Sequence, residues 1–191
     1  MRRQNEETFD HRSQQHADHD EWNVAQYLAH RPGYQHQRQE QQTRRQHRYD
    51  PDEERVAVES KFWGAYRVAR AVRLTERGTL TLISGFLSER PSASSVLQGA
   101  INAALEALGR GLALELAPIR VNTVSPGLID TPLWDKLDET ARQAMFLRVA
   151  GNLPARAIGQ PSDVANAVLF AMTTPFATGS TIRVDGGGVI A

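Results

Sequence analysis

The chain has 191 residues, 22 basic and 22 acidic, and it contains no cysteine. This length predicts one domain with at most a tail, and the zero net charge provides no field that attracts nucleic acid or anionic membranes. The absence of cysteine excludes disulfide scaffolds, thiol catalysis and cysteine-ligated zinc. Because no apolar run resembles a membrane span or a signal peptide, we expect a cytoplasmic protein without nucleic-acid or membrane partners.

The first 50 residues differ in composition from the rest. They hold all six histidines and ten glutamines, and only 11 of them are apolar. Such a segment buries too little apolar surface to offset its ordering entropy, so we predict a disordered tail over 1–50 and a folded domain over 51–191. Three histidines that could gather around an ion (His11, His16 and His19) lack an ordered frame, and we predict no metal site.

From residue 51 onward, apolar spacing alternates between helical and strand-like periods. A helix over 53–73 precedes the strand Thr79–Ile83, and a long Ala- and Leu-rich helix over 92–116 precedes the strand 119–124. Further helices are predicted over 132–137, 138–149 and 164–172, and the last strand is Thr181–Val184. Strands separated by helices pair in parallel, so the pattern predicts an α/β fold: part of a Rossmann-like, doubly wound sheet of three strands with flanking helices.

Ligands of such sheets bind beyond the carboxyl ends of the strands. The rim should therefore carry Ser84 and Gly85 after the first strand, and the segment 125–131 after the second strand.

Four stretches in this order resemble the C-terminal half of the short-chain dehydrogenase/reductase family. They are AALEALGRGLALELAP (103–118), IRVNTVSPGLIDTP (119–132), GQPSDVA (159–165) and TGSTIRVDGG (178–187). The resemblance covers about residues 56–191. It implies an NAD(P)-dependent oxidoreductase that acts on a small-molecule alcohol or ketone, and a homo- or hetero-oligomer formed through helices 53–73 and 92–116.

The resemblance also implies cofactor-binding residues in the segment that closes over the nicotinamide. These are Pro126, Gly127, Ile129 and Thr131. The proline–glycine pair has a second interpretation as an ordinary strand-to-loop turn. The family's Gly-rich turn, which holds the cofactor pyrophosphate at a helix N-terminus, has no counterpart, since Gly33 is the one glycine in the first 50 residues. We therefore expect weak or absent binding of NAD(P).

The catalytic positions of the family hold other residues. Alignment on the AALEAL helix puts Gln98 at the family's tyrosine and Asn102 at its lysine, and the family's serine falls on Gly85. Lys61 lies near the place of a catalytic asparagine. Amides cannot act as acid or base near neutral pH, so no catalytic residue is assigned, although Lys61 is titratable and Gln98 and Asn102 could line a polar pocket.

Three functions remain open at this stage. The first is an oxidoreductase with an atypical site, impaired or inactive as this chain. The second is a non-catalytic oligomerisation partner of a full-length relative. The third is a truncated or misassembled gene product, which the abrupt change of composition near residue 50 favours.

Overall fold

The computed structural model describes residues 50–191. The predicted tail and its histidines lie outside the described residues. The chain divides into the units Met1–Pro51 and Asp52–Ala191, and the description below concerns the second. Among the helices of the described part, none is long and apolar enough to cross a membrane.

The sheet has three parallel strands, and the central one is buried. The strands are β1 (Thr79–Ile83), β2 (Arg120–Pro126) and β3 (Thr181–Val184), in the order β1-β2-β3. Thr79 pairs with Arg120, and Thr123 pairs with Thr181. The predicted parallel α/β fold is confirmed, and β1 is an edge of the sheet formed by residues 50–191.

Two helical regions precede β2. The predicted helix 53–73 consists of α1 (Pro51–Val58), a π-helical turn (Glu59–Trp63) and α2 (Gly64–Ala71). The predicted helix 92–116 is α3 (Val96–Glu115). The buried residues of α3 follow a spacing of three and four, so one face points into the protein. Gly109 lets this face approach β2 closely, because a Cβ there would lie 2.5 Å from Thr123 Oγ1.

Two further helices follow β2. A 3-10 turn (Pro132–Lys136) replaces the predicted helix 132–137, and α4 (Glu139–Asn152) and α5 (Pro161–Thr173) follow it. Asp138 caps α4 by accepting a hydrogen bond from the Ala141 amide, and the Asp163 carboxylate accepts one from the Gln160 amide at the start of α5.

The apolar core lies between α2, α3 and the first two strands. Its buried members are Ala69, Leu82, Leu112 and Val121. Because this core joins both helical regions to the sheet, it fixes the positions of the carboxyl ends of β1 and β2 relative to α3 and the π-helical turn.

Candidate active site

The carboxyl ends of the three strands meet at one edge of the sheet. The Ser84 amide donates to Val124 O at 2.9 Å, which links the end of β1 to β2. The Gly127 amide donates to Val184 O at 2.9 Å, which links the end of β2 to β3. The predicted rim residues therefore lie together, as parallel pairing requires.

A lysine from the π-helical turn reaches this rim. Lys61 Nζ donates to Asn102 Oδ1 at 2.7 Å and to the Ser84 carbonyl oxygen at 3.3 Å. Burial lowers the pKa of Lys61 from its ordinary value, because a low-dielectric environment disfavours the ammonium. The π-helical turn that carries Lys61 was not predicted, and such turns occur often at functional sites.

Asn102 and Gly85 are in close contact. Asn102 is 2% exposed, on the inward face of α3. A Cβ on Gly85 would lie 2.8 Å from Asn102 Nδ2, too close for any side chain to fit without displacing the amide. Asn102, which aligns with the family's lysine, thus fills the space beside Gly85, which aligns with the family's serine. Gln98 is half-buried, one helical turn before Asn102.

The Ser84 side chain also contacts α3, one helical turn after Asn102. Its hydroxyl donates to the buried Glu106 carboxylate at 2.9 Å, and Ser88 donates to the same oxygen at 2.6 Å. These bonds attach the end of β1 and the following turn to α3. Sequence reasoning missed Glu106, although its position four residues after Asn102 places both on one face of the helix.

An apolar cleft of about 490 Å³ lies beside the rim. Its walls come from the turn after β1 and from the segment after β2. Its apolar lining residues include Phe86, Leu87, Pro91, Leu128 and Trp134, and the charged Arg90 lines it as well. Phe86 directly follows Gly85 in the chain, but neither Gly85 nor Asn102 lines the cleft.

The four residues predicted to bind a cofactor lie at the end of β2 and just beyond it. Pro126 is the last residue of β2, and Thr131 precedes the 3-10 turn. Ile129 pairs with Gly159, and its carbonyl oxygen accepts a hydrogen bond from the Trp134 indole at 2.9 Å. Their proximity to one another is a fact of the fold, and their role toward a cofactor stays a prediction.

Gly127 has a structural reason to be glycine. A Cβ there would lie 2.7 Å from Asp185 Cα, so the absence of a side chain allows the segments after β2 and β3 to touch. This contact corresponds to the second interpretation of the proline–glycine pair, a turn required by packing.

The described residues do not fit the pyrophosphate end of NAD(P). The glycine-rich segment after β3, Gly186–Gly188, lies in a turn rather than at a helix N-terminus. The Asp185 carboxylate already accepts hydrogen bonds from the Gly187 and Val189 amides, both at 3.0 Å. A carboxylate in this place repels a phosphate rather than binding it. Within residues 50–191, no group of metal-ligating side chains is suited to an ion.

The fold and the rim together define a doubly wound α/β protein, a class whose ligands bind beyond the carboxyl ends of the strands. The family model described as enoyl-(acyl carrier protein) reductase matches residues 12–188. The chain therefore belongs to the short-chain dehydrogenase/reductase family. This match begins well before residue 56, where the resemblance noted in the sequence starts.

Individual relatives agree with this family. A short-chain dehydrogenase/reductase of Acremonium sp is 32% identical over 66% of this chain and 48% of its own length. A putative ketoacyl reductase of the granaticin polyketide synthase of Streptomyces violaceoruber is 38% identical over 58% and 44%. A small-chain dehydrogenase crystallised with NADPH is 40% identical, with a TM-score of 0.69 over 75% of this chain and 66% of that one. The chain spans about half the length of the curated relatives it matches.

Proposed function

We propose that the chain is an NAD(P)-linked oxidoreductase of the alcohol–ketone type that is impaired in hydride transfer as this chain. The observation that carries the proposal is the composition of the site on α3. Gln98 and Asn102 stand where the resemblance implies a tyrosine and a lysine, and both side chains are amides. An amide can bind a carbonyl oxygen but cannot deliver a proton to it at neutral pH.

The missing acid–base pair has a large effect on the expected rate. Reduction of a ketone needs a proton donor near the developing alkoxide, and losing such a donor costs about 10²–10⁴-fold in rate. Lys61 is the titratable group closest to Asn102 along the contacts described above, and its ammonium is engaged by two acceptors. The site therefore supports binding of a polar oxygen better than it supports proton transfer.

The nicotinamide ring would supply the hydride in a complete member of this family. In this chain the four residues 126, 127, 129 and 131 are proposed to lie against that ring. The Asp185 carboxylate occupies amides of the glycine-rich segment after β3 and would repel a phosphate there. No residue of the described part is therefore assigned to the pyrophosphate, and no reaction step is derived through the cofactor.

Titration of the full chain with NADPH and NADH by calorimetry tests the proposal. We expect dissociation constants weaker than micromolar. The family's Gly-rich turn at a helix N-terminus has no counterpart in this sequence, and that turn contributes much of the affinity for the cofactor. An assay of NADPH oxidation with a panel of simple ketones should show turnover near background. Micromolar affinity together with ready turnover would contradict the proposed impairment.

A second candidate, a non-catalytic oligomerisation partner, is supported by exposed apolar side chains on the two helical regions before β2. Val56 is 65% exposed, Val68 on α2 is 57% exposed and Leu114 on α3 is 84% exposed. Within residues 50–191, β1 is an edge strand, and its backbone groups can pair with another chain. This candidate places a second subunit, either a copy of this chain or a relative, against helices 53–73 and 92–116.

Light scattering after size exclusion distinguishes this candidate. We expect the wild-type chain to elute as a dimer or larger, and the Val68→Asp, Leu114→Asp double variant to elute as smaller species. Leu147→Asp is the matched control, because Leu147 is 73% exposed on α4. A monomeric wild type, or an equal effect of the control, would exclude this surface.

A further inference from the structure

A single cation lies in the wall of the apolar cleft beside the rim. The cleft has a volume of about 490 Å³, and Arg90 is the one charged side chain among the described residues that line it. A cleft of this size, mostly apolar and with a few polar groups, is typical of sites that bind small molecules. The class of ligand therefore depends on which groups of this wall are free to bind.

The guanidinium of Arg90 is anchored but not neutralised. Its Nη1 donates to the carbonyl oxygen of Gly188 at 2.5 Å, and the Arg90 backbone amide donates to Phe86 O at 3.0 Å. The neighbouring carboxylate of Glu89 pairs with Arg183 instead. Among the residues that the structure describes, no carboxylate pairs with Arg90. A guanidinium has five N–H donors, so an anchored positive charge with unused donors lines the cleft.

A hydroxyl group lies in the same wall. Ser95 lines the cleft and is half-buried, one residue before α3 begins. Its hydroxyl forms no capping hydrogen bond with that helix, and no other bond of this hydroxyl is found within residues 50–191. Ser95 can therefore donate a hydrogen bond to a ligand oxygen.

The opposite character of the remaining walls defines the other end of the ligand. The Trp134 indole donates its N–H to Ile129 O at 2.9 Å, so its polar atom is satisfied and its ring offers apolar surface to the cleft. Phe86 and Leu128 add further apolar surface. These walls suit an aromatic or alkyl group, whereas one guanidinium suits one negative charge. A carboxylate matches the fork of N–H groups on arginine, and a second negative charge would lack a counter-ion among apolar walls.

We propose that this cleft binds an organic carboxylate, whose charged group is held by Arg90 and Ser95 and whose apolar part packs against Trp134. This inference deepens the proposed function, and it rests on that function only for the idea that the bound molecule is a substrate. Arg90 is then the residue that selects an anionic ligand over a neutral one.

The probe is 3-phenylpropanoate, and its matched analogue is 3-phenylpropanamide, which has nearly the same shape and no charge. Calorimetry with the full chain, without cofactor, measures both affinities. We expect the acid to bind about five- to twentyfold more tightly, between the effect of an exposed ion pair and that of a charge-assisted hydrogen bond. Propanoate, which lacks the ring, should bind more weakly than 3-phenylpropanoate, because it covers less of the apolar wall.

Variants of the polar wall separate charge from damage to the fold. Arg90→Met should reduce the affinity for the acid to that for the amide, and unchanged binding of the amide would show that the cleft is intact. Arg110→Met is the matched control, because it removes the same charge from an exposed residue of α3 that does not line the cleft. Ser95→Ala should weaken the acid about two- to fivefold, whereas Ser162→Ala, exposed at the start of α5, should not.

Tryptophan fluorescence places the ligand in the cleft. The chain has three tryptophans, and Trp134 is the one that lines this cleft among the described residues. The acid should change the emission of the wild type and of Trp63→Phe. Trp134→Phe should lose most of this change while calorimetry still records binding, because phenylalanine keeps an apolar ring in the wall.

Three results would overturn the inference: equal affinities for the acid and the amide, an equal loss in Arg110→Met, or an emission change that survives Trp134→Phe in full. The outcome is separable from the proposed function, since no cofactor is present. A preference for the acid that depends on Arg90, in a chain without any NADPH-linked reaction, would support the carboxylate site and contradict the oxidoreductase. Measurable NADPH binding together with equal affinities for acid and amide would overturn the carboxylate site alone.

Discussion

Asn122 is the buried amide that joins β2 to the segment between α5 and β3, and its removal should destabilise the domain markedly. The residue is 0% exposed. Its Nδ2 donates to Ala177 O at 2.8 Å, and its Oδ1 accepts from the Ser180 amide at 3.1 Å. Substitution by alanine breaks both bonds.

Ala177 O keeps a second donor, Arg120 Nη1 at 3.1 Å, so loss of the first bond costs about 0.5–1.5 kcal/mol. The Ser180 amide loses its acceptor at the start of β3, but Ser180 is exposed, so water can replace that bond and its loss also costs about 0.5–1.5 kcal/mol. Asn122→Ala should therefore lower the free energy of unfolding by about 1–3 kcal/mol, a sizeable part of the roughly 5–15 kcal/mol typical of a domain.

Urea unfolding followed by circular dichroism measures this difference, with the midpoint read at a constant slope. The matched control is Asn152→Ala, because Asn152 is exposed at the end of α4 and its loss should change the free energy by less than about 0.5 kcal/mol. If Asn122→Ala unfolds at the same urea concentration as the control, the two bonds contribute nothing and the reasoning is refuted.

Two further predictions concern the site. Burial lowers the pKa of Lys61 below its ordinary 10.5, so the unfolded chain keeps the Lys61 proton to higher pH than the folded chain does. Wild type should therefore gain stability relative to Lys61→Met as the pH rises through the folded pKa toward 10.5. A difference in urea midpoint that stays constant with pH would contradict this. The Gln98→Tyr, Asn102→Lys double variant should not reduce ketones with NADPH and should melt at a lower temperature, since it puts a second ammonium beside Lys61. Adding Lys61→Asn should recover the melting temperature, and no recovery would show that the two charges do not meet.

Periodicity alone predicted the parts of the fold that depend on local sequence. Strands Thr79–Ile83 and Thr181–Val184 occupy the predicted residues, and the Ala- and Leu-rich helix differs from its prediction by a few residues at its start. Alternating short strands and helices also predicted parallel pairing, which places the strand ends at one edge. The same patterns carried the resemblance that the family match confirms.

The sequence by itself thus determined the three strands, the main helices and the family, because these follow from local spacing and from motifs in chain order. Only the tertiary structure decided which side chains meet. The π-helical turn rotates Lys61 onto an acceptor 41 residues away, and Gly127 packs against Asp185 beyond β3. Such contacts depend on how helices and strands are placed across the sheet, to within an ångström, and no local pattern in the sequence records that placement.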